Sequence, residues 1–116
     1  MIFPAVFSIV VGAGMIIQWG LSYSSGQIPE LESEPIRIWF HIAAELITAA
    51  ILIAAGIGIL TGSGWGQPLY FVSAGMLIYT AIVSPGYFAQ KGQYNWLFMF
   101  GAILILQVIS LVLVVS

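Results

Sequence analysis

The chain contains no cysteine, which excludes disulfides, thiolate metal sites and thiol redox chemistry. Charge is nearly as scarce: 5% of the 116 residues are charged, against about 25% in a soluble domain. The two basic residues, Arg37 and Lys91, are too few to neutralise a useful run of phosphates, so nucleic acid is excluded as a partner. The acids are Glu30, Glu32, Glu34 and Glu45, and the one histidine is His41. One histidine and one neighbouring carboxylate fall short of the three or four ligands of a zinc site, and nothing beside His41 supports a haem. No cofactor is therefore expected. No nucleophile–base arrangement can be assembled either, so an enzyme is the least favoured class.

Apolar sequence takes the place of the missing charge. The chain is 61% hydrophobic, with a mean hydropathy of +1.12. It cannot cover a water-facing surface, and its outer face has to be solvated by lipid. About 20 apolar residues cross the hydrocarbon core as a helix, and four windows qualify: 2–21, 36–60, 68–83 (extendable to 89) and 95–115. The stretches between them, "SYSSGQIPELESEPIR", "TGSGWGQ" and "SPGYFAQKGQY", are rich in Gly, Pro, Ser and Gln, as connections are. Backbone in lipid must bond to itself. The expected fold is therefore all-α: an integral membrane four-helix bundle, up-down-up-down, as one domain over residues 1–116. The first span lacks the basic n-region and short apolar core of a signal peptide and reads as a retained helix with Pro4 in its first turn. "SPG" at Ser84–Gly86 is expected to end or kink the third span. A multi-pass location, with the cell membrane as the expected one, follows.

An internal echo links the odd-numbered spans. "VGAGMIIQ" at Val11–Gln18 matches "VSAGMLIY" at Val72–Tyr79, and "SGQ" at Ser25–Gln27 resembles "KGQ" at Lys91–Gln93. One reading is a duplicated helical hairpin. The other is that small residues recur wherever membrane helices approach closely, and the second and fourth spans match poorly. Arg37 and Lys91 flank the first and third connections, which the positive-inside rule would make cytoplasmic, although Glu30, Glu32 and Glu34 crowd the same side.

Polar side chains concentrate toward that side: Gln18, Tyr23, Trp39, His41, Glu45, Tyr79, Thr80, Ser84, Tyr87, Asn95 and Trp96, from all four spans. The opposite half is nearly pure Ile, Leu, Val, Ala and Gly, with Ser73 and Gln107 as exceptions. This distribution predicts a bundle tightly closed at one end and polar-lined at the other. Trp39, Tyr94 and Trp96 are explained by interfacial anchoring, and Gln18 and Asn95 also fit as interhelical hydrogen-bond partners. Glu45 is too deep for a short side chain to reach the interface. A carboxylate in hydrocarbon costs about 2.5–3.5 kcal/mol and usually faces the bundle interior with a partner. His41 is that partner, since positions i and i+4 share a helix face, which Thr48 and Leu52 continue inward. The pair is either an ion pair or a neutral pair sharing one hydrogen bond, and it serves either as a polar packing clamp or as a ligand or proton site. "PELESEP" reads as a cation-holding loop or as a solvated one.

A four-span chain of this size with a glutamate early in "AAELITAAILIAAGIGIL", followed by "AGMLIYTAI", resembles the DoxX-like group of small membrane proteins. The resemblance implies a four-helix bundle serving as an accessory subunit of a membrane redox or quinone-linked complex. The basic residues common in that group's loops are largely missing here. "HIAAE" also has the His-x-x-x-Glu spacing of EXPERA-type proteins, the sterol isomerase and sigma-2-receptor-like group. This second resemblance implies a lipid-accessible polar pocket, without the further acids of isomerase chemistry.

Three functions stand open. The leading one is binding of a lipid-like or amphiphilic small molecule in a one-ended pocket inside the bundle, with His41 and Glu45 as its floor and Gln18, Tyr79, Thr80, Tyr87 and Asn95 around it. The second is a non-catalytic subunit or homo-oligomeric scaffold that packs through Gly12, Gly14, Gly56, Gly58 and Gly75. The third is proton-coupled transport through the same pocket.

Overall fold

Prolines open the spans and glycines close them. The first turn of a helix has no intrahelical acceptor for its N–H groups, so a proline there loses nothing. Pro4 lies in the first turn of α1 (Ile2–Ser24), Pro35 begins α3 (Pro35–Leu60) and Pro68 lies in the first turn of α4 (Gly66–Gln90). After α3 the chain reverses at Gly62, whose φ of 71° is left-handed and whose N–H donates to the Ile59 carbonyl at 3.1 Å. Gly26 and Gly92 follow α1 and α4 in the same conformation. The last span is α5 (Asn95–Val115).

The computed structural model describes residues 2–26, 30–90, 92 and 95–115, the side chains of 30–31, 84–90 and 96 being outside that description. Among the described residues there are helices and no strands. Four helices are long and apolar enough to cross a membrane, in up-down-up-down order, the architecture of a multi-pass membrane protein. The longest extent, 44 Å, matches a bilayer including its headgroups, about 40–45 Å.

One connection differs from the sequence reading, and one span takes the longer of its two expected limits. The acidic connection contains a single helical turn, α2 (Glu30–Ser33), because glutamates suit the positive end of a helix. The helix α4 does not end at Ser84–Gly86 but continues to Gln90.

The spans form a ring in chain order. The helix α1 packs on α3, α3 on α4 and α4 on α5, while α1 meets α5 sparingly. The α1–α3 seam is narrow. A Cβ on Gly12 would lie 2.7 Å from the Ala49 carbonyl oxygen, and one on Gly56 would lie 2.6 Å from that of Ala5. Gly58 packs against Trp65 and Gly66 across the α3–α4 turn. Three of the five glycines expected to face other chains are thus used within this one; a Cβ on Gly14 or Gly75 meets nothing.

The core is thick in the half that holds the α3–α4 turn. Ala55, Tyr70, Ala74 and Val114 cluster there, and Phe7, Leu52 and Leu77, with Ile103 beside them, join all four spans just beyond. In the other half Ile38 and Ile42 pack with Trp19, from α1 and α3 alone. The closed half holds more polar groups than the two exceptions, Ser73 and Gln107, that the sequence reading allowed it. Tyr70 and Ser110 share a hydrogen bond, Gln107 Nε2 donates to the Tyr70 hydroxyl at 2.9 Å, and all three residues are fully buried. Ser8 and Ser73 are buried nearby and donate to the backbone carbonyls of Leu52 and Tyr70. Depth along a helix is legible from sequence, but the side of the helix that meets a neighbour decides whether a polar group has a partner.

The echoed stretches agree in burial at two of their three small-residue pairs, Ala13 being half-buried and Ala74 buried. Gly12 and Ser73 are buried, and Gly14 and Gly75 are exposed; they part at Ile16, exposed, and Leu77, buried.

Candidate ligand-binding cleft

The helix α3 carries its inward side chains at Ile38, Ile42, Glu45, Ala49 and Leu52, a three- and four-residue rhythm that turns Glu45 toward its neighbours. Glu45 is ten residues past Pro35, about 15 Å along the axis, and 6% exposed. Two rings hold it. Trp19 Nε1 on α1 donates to Glu45 Oε2 at 2.5 Å. His41 Nε2 lies 3.5 Å from Oε1, within ion-pair range, and the His41 ring meets the Trp19 ring edge-on with centroids 5.8 Å apart. A hydrogen bond to a charged group contributes about 1.5–3 kcal/mol. Placing a carboxylate in hydrocarbon costs about 2.5–3.5 kcal/mol. The indole alone therefore offsets much of that cost.

His41 and Glu45 lie at the floor of a cleft of about 750 Å³ between α3 and α4. The helix α3 lines it with Phe40, His41, Glu45 and Thr48 among others, and α4 with Gly75, Met76, Tyr79, Thr80 and Val83. The lips are apolar and point outward: Phe40 is 74% exposed and Tyr79 70%, on the surface a bilayer would solvate. Thr48 is buried and donates to its own helix, at the Ala44 carbonyl. Among the described residues no lysine or arginine lines the cleft. Arg37 is at the exposed start of α3, 3.3 Å from Glu34, in a surface pair of little energetic weight.

Four of the seven sequence candidates come together here: His41, Glu45, Tyr79 and Thr80. Gln18 and Asn95 do not line the cleft. The side of α1 that packs on α3 runs through Ala5, Ser8 and Gly12. Continuing it by sevens leads from Gly12 to Trp19, while Gln18 is turned about 100° away. Asn95 is the exposed first residue of α5, none of whose described side chains lines the cleft. The side chain of Tyr87 lies outside the described residues. Among the described residues the site is therefore a lateral cleft between two helices, not a chamber walled by all four. Trp19 is the partner of Glu45 that the sequence reading passed over, and the seven-residue spacing from Gly12 was the signal for it.

Among the described residues no group of three His, Cys, Asp or Glu could hold a metal ion, and Glu32 and Glu34 of the acidic connection are exposed. The chain belongs to the family described as a domain of unknown function, DUF8058, which it matches over residues 2–116. No curated protein and no solved structure matches it.

Proposed function

We propose that the chain is a small integral protein of the cell membrane that binds a lipid-like or amphiphilic small molecule in the α3–α4 cleft. Glu45 and His41 form the polar floor, Tyr79 and Thr80 stand on the α4 wall, and Trp19 holds the floor from behind. The observation that carries this reading is a 94%-buried carboxylate opening onto an apolar-lipped cleft of about 750 Å³. Ligand sites are typically apolar concavities of about 300–1,000 Å³ with a few convergent polar groups.

The test is native mass spectrometry of the full chain released from mild detergent, beside Glu45→Gln and Gly75→Leu. Wild type should carry a small mass that both variants lose while staying folded. Gly75→Leu fills the cleft from a position where a new Cβ meets nothing. A bare wild-type chain overturns the proposal, and so does a mass that both variants retain.

A further inference from the structure

We infer that the occupant is a single-chain amphiphile with a compact, hydrogen-bond-donating and non-anionic head, an alcohol or an amine, and that it enters sideways from the bilayer. This rests on the binding reading above and adds the class of ligand. Three observations carry it.

The first is charge. Among the described residues, the groups facing the cleft are His41, Glu45 and Thr48 from α3, and Tyr79 and Thr80 from α4, with no lysine or arginine. The one cationic candidate, His41, is already turned to Glu45 at 3.5 Å. A carboxylate or phosphate head would meet Glu45 with nothing else to neutralise it, and like charges in a medium of low dielectric repel strongly. A hydroxyl or ammonium head brings the donor that a carboxylate accepts, and charge-assisted hydrogen bonds are the strong ones.

The second is depth. Glu45 lies eight residues beyond the exposed Arg37, about 12 Å deeper along the helix. A phosphodiester would have to leave the interface and shed its hydration to reach it, whereas a single hydroxyl or amine has far less to lose.

The third is access. Among the described residues the cleft is bounded by α3 and α4, and its lips are Phe40, Ile47, Tyr79 and Val83, all exposed. The lining runs from Phe40 to Thr48 on one wall and from Gly75 to Val83 on the other, about 12 Å of helix in each case. That length accepts the head and the first part of a chain, and the rest of the chain stays among lipid tails.

The experiment uses the full chain reconstituted in phosphatidylcholine vesicles and three probes sharing one photoreactive alkyl chain, with hydroxyl, ammonium or carboxylate heads. Labelling is read by peptide mapping in wild type, Gly75→Leu and Glu45→Gln. The hydroxyl and ammonium probes should label α3 and α4 residues of the cleft at least ten-fold more than the carboxylate probe. Gly75→Leu should abolish that labelling, and Glu45→Gln should shrink the preference between heads. Equal labelling by all three heads, or a carboxylate preference, overturns the head-group inference and leaves the binding reading standing. Absence of labelling above the Gly75→Leu level with every probe overturns both.

Discussion

Glu45 and Thr48 are both buried, one turn apart in the α3 stretch "ELIT"; Gln107 and Ser110 are both buried, one turn apart in the α5 stretch "QVIS". Each leading residue is hydrogen-bonded to an aromatic side chain of the preceding span, Glu45 to Trp19 on α1 and Gln107 to Tyr70 on α4. The two clusters diverge in charge and in access. Gln107 is neutral and sealed at 0% exposure, while Glu45 is an acid whose partner His41 has a side chain 40% exposed at a cleft. A neutral amide thus suffices to fasten two of these helices together. An acid at the corresponding place in α3 exceeds what packing requires, and this supports a role for it toward something in the cleft.

The comparison can be broken most forcefully in the sealed cluster. Tyr70→Ala should lower the unfolding free energy by about 3–5 kcal/mol, the usual cost of deleting a buried aromatic ring. Steric-trapping or denaturant unfolding in detergent measures it, and a loss below about 1 kcal/mol would mean that half of the bundle holds no real core. Next in size is an exchange of acid and amide. Gln107→Glu places a carboxylate where no cation is near and should cost about 2.5–3.5 kcal/mol. Glu45→Gln keeps an acceptor for Trp19 and should cost less than about 1 kcal/mol. Equal costs in the two directions would erase the distinction between the clusters. The smallest effect belongs to Gln18→Ala. It should stay within about 0.5 kcal/mol of wild type and leave ligand retention unchanged; reduced retention would return Gln18 to the site.

Much of this was legible in the residues. The four spans follow from hydrophobic run length, and α3 and α5 begin and end within a residue of their expected limits, 36–60 and 95–115. The His41–Glu45 pair was legible because four-residue spacing on a helix fixes a shared side whatever the surroundings. Tyr79 and Thr80 were found by depth alone. Depth misled for Gln18 and Asn95, which lie at the right level and on the wrong side. It also hid Tyr70 and Ser110, whose pairing depends on how α4 and α5 are rotated against each other. Nothing in a single sequence reports that rotation, since the lipid-facing and core-facing sides of these helices are nearly equally apolar. The glycines show the same limit. Gly12 and Gly14 stand two residues apart in one span, yet a Cβ on the first would be jammed against Ala49 and one on the second meets nothing.

The ring of helices described above, each fastened chiefly to the one before it, also bears on how the chain assembles. The span of α3 is 44% buried and that of α5 only 22%, so the hub is made early and the last helix is the least committed. Chains fold from the N-terminus as they are made. Here every spanning helix after the first finds its main partner already inserted. The seam between first and last is the lightest of the four, so the chain closes the circle with its weakest contact and waits on no distant segment to begin.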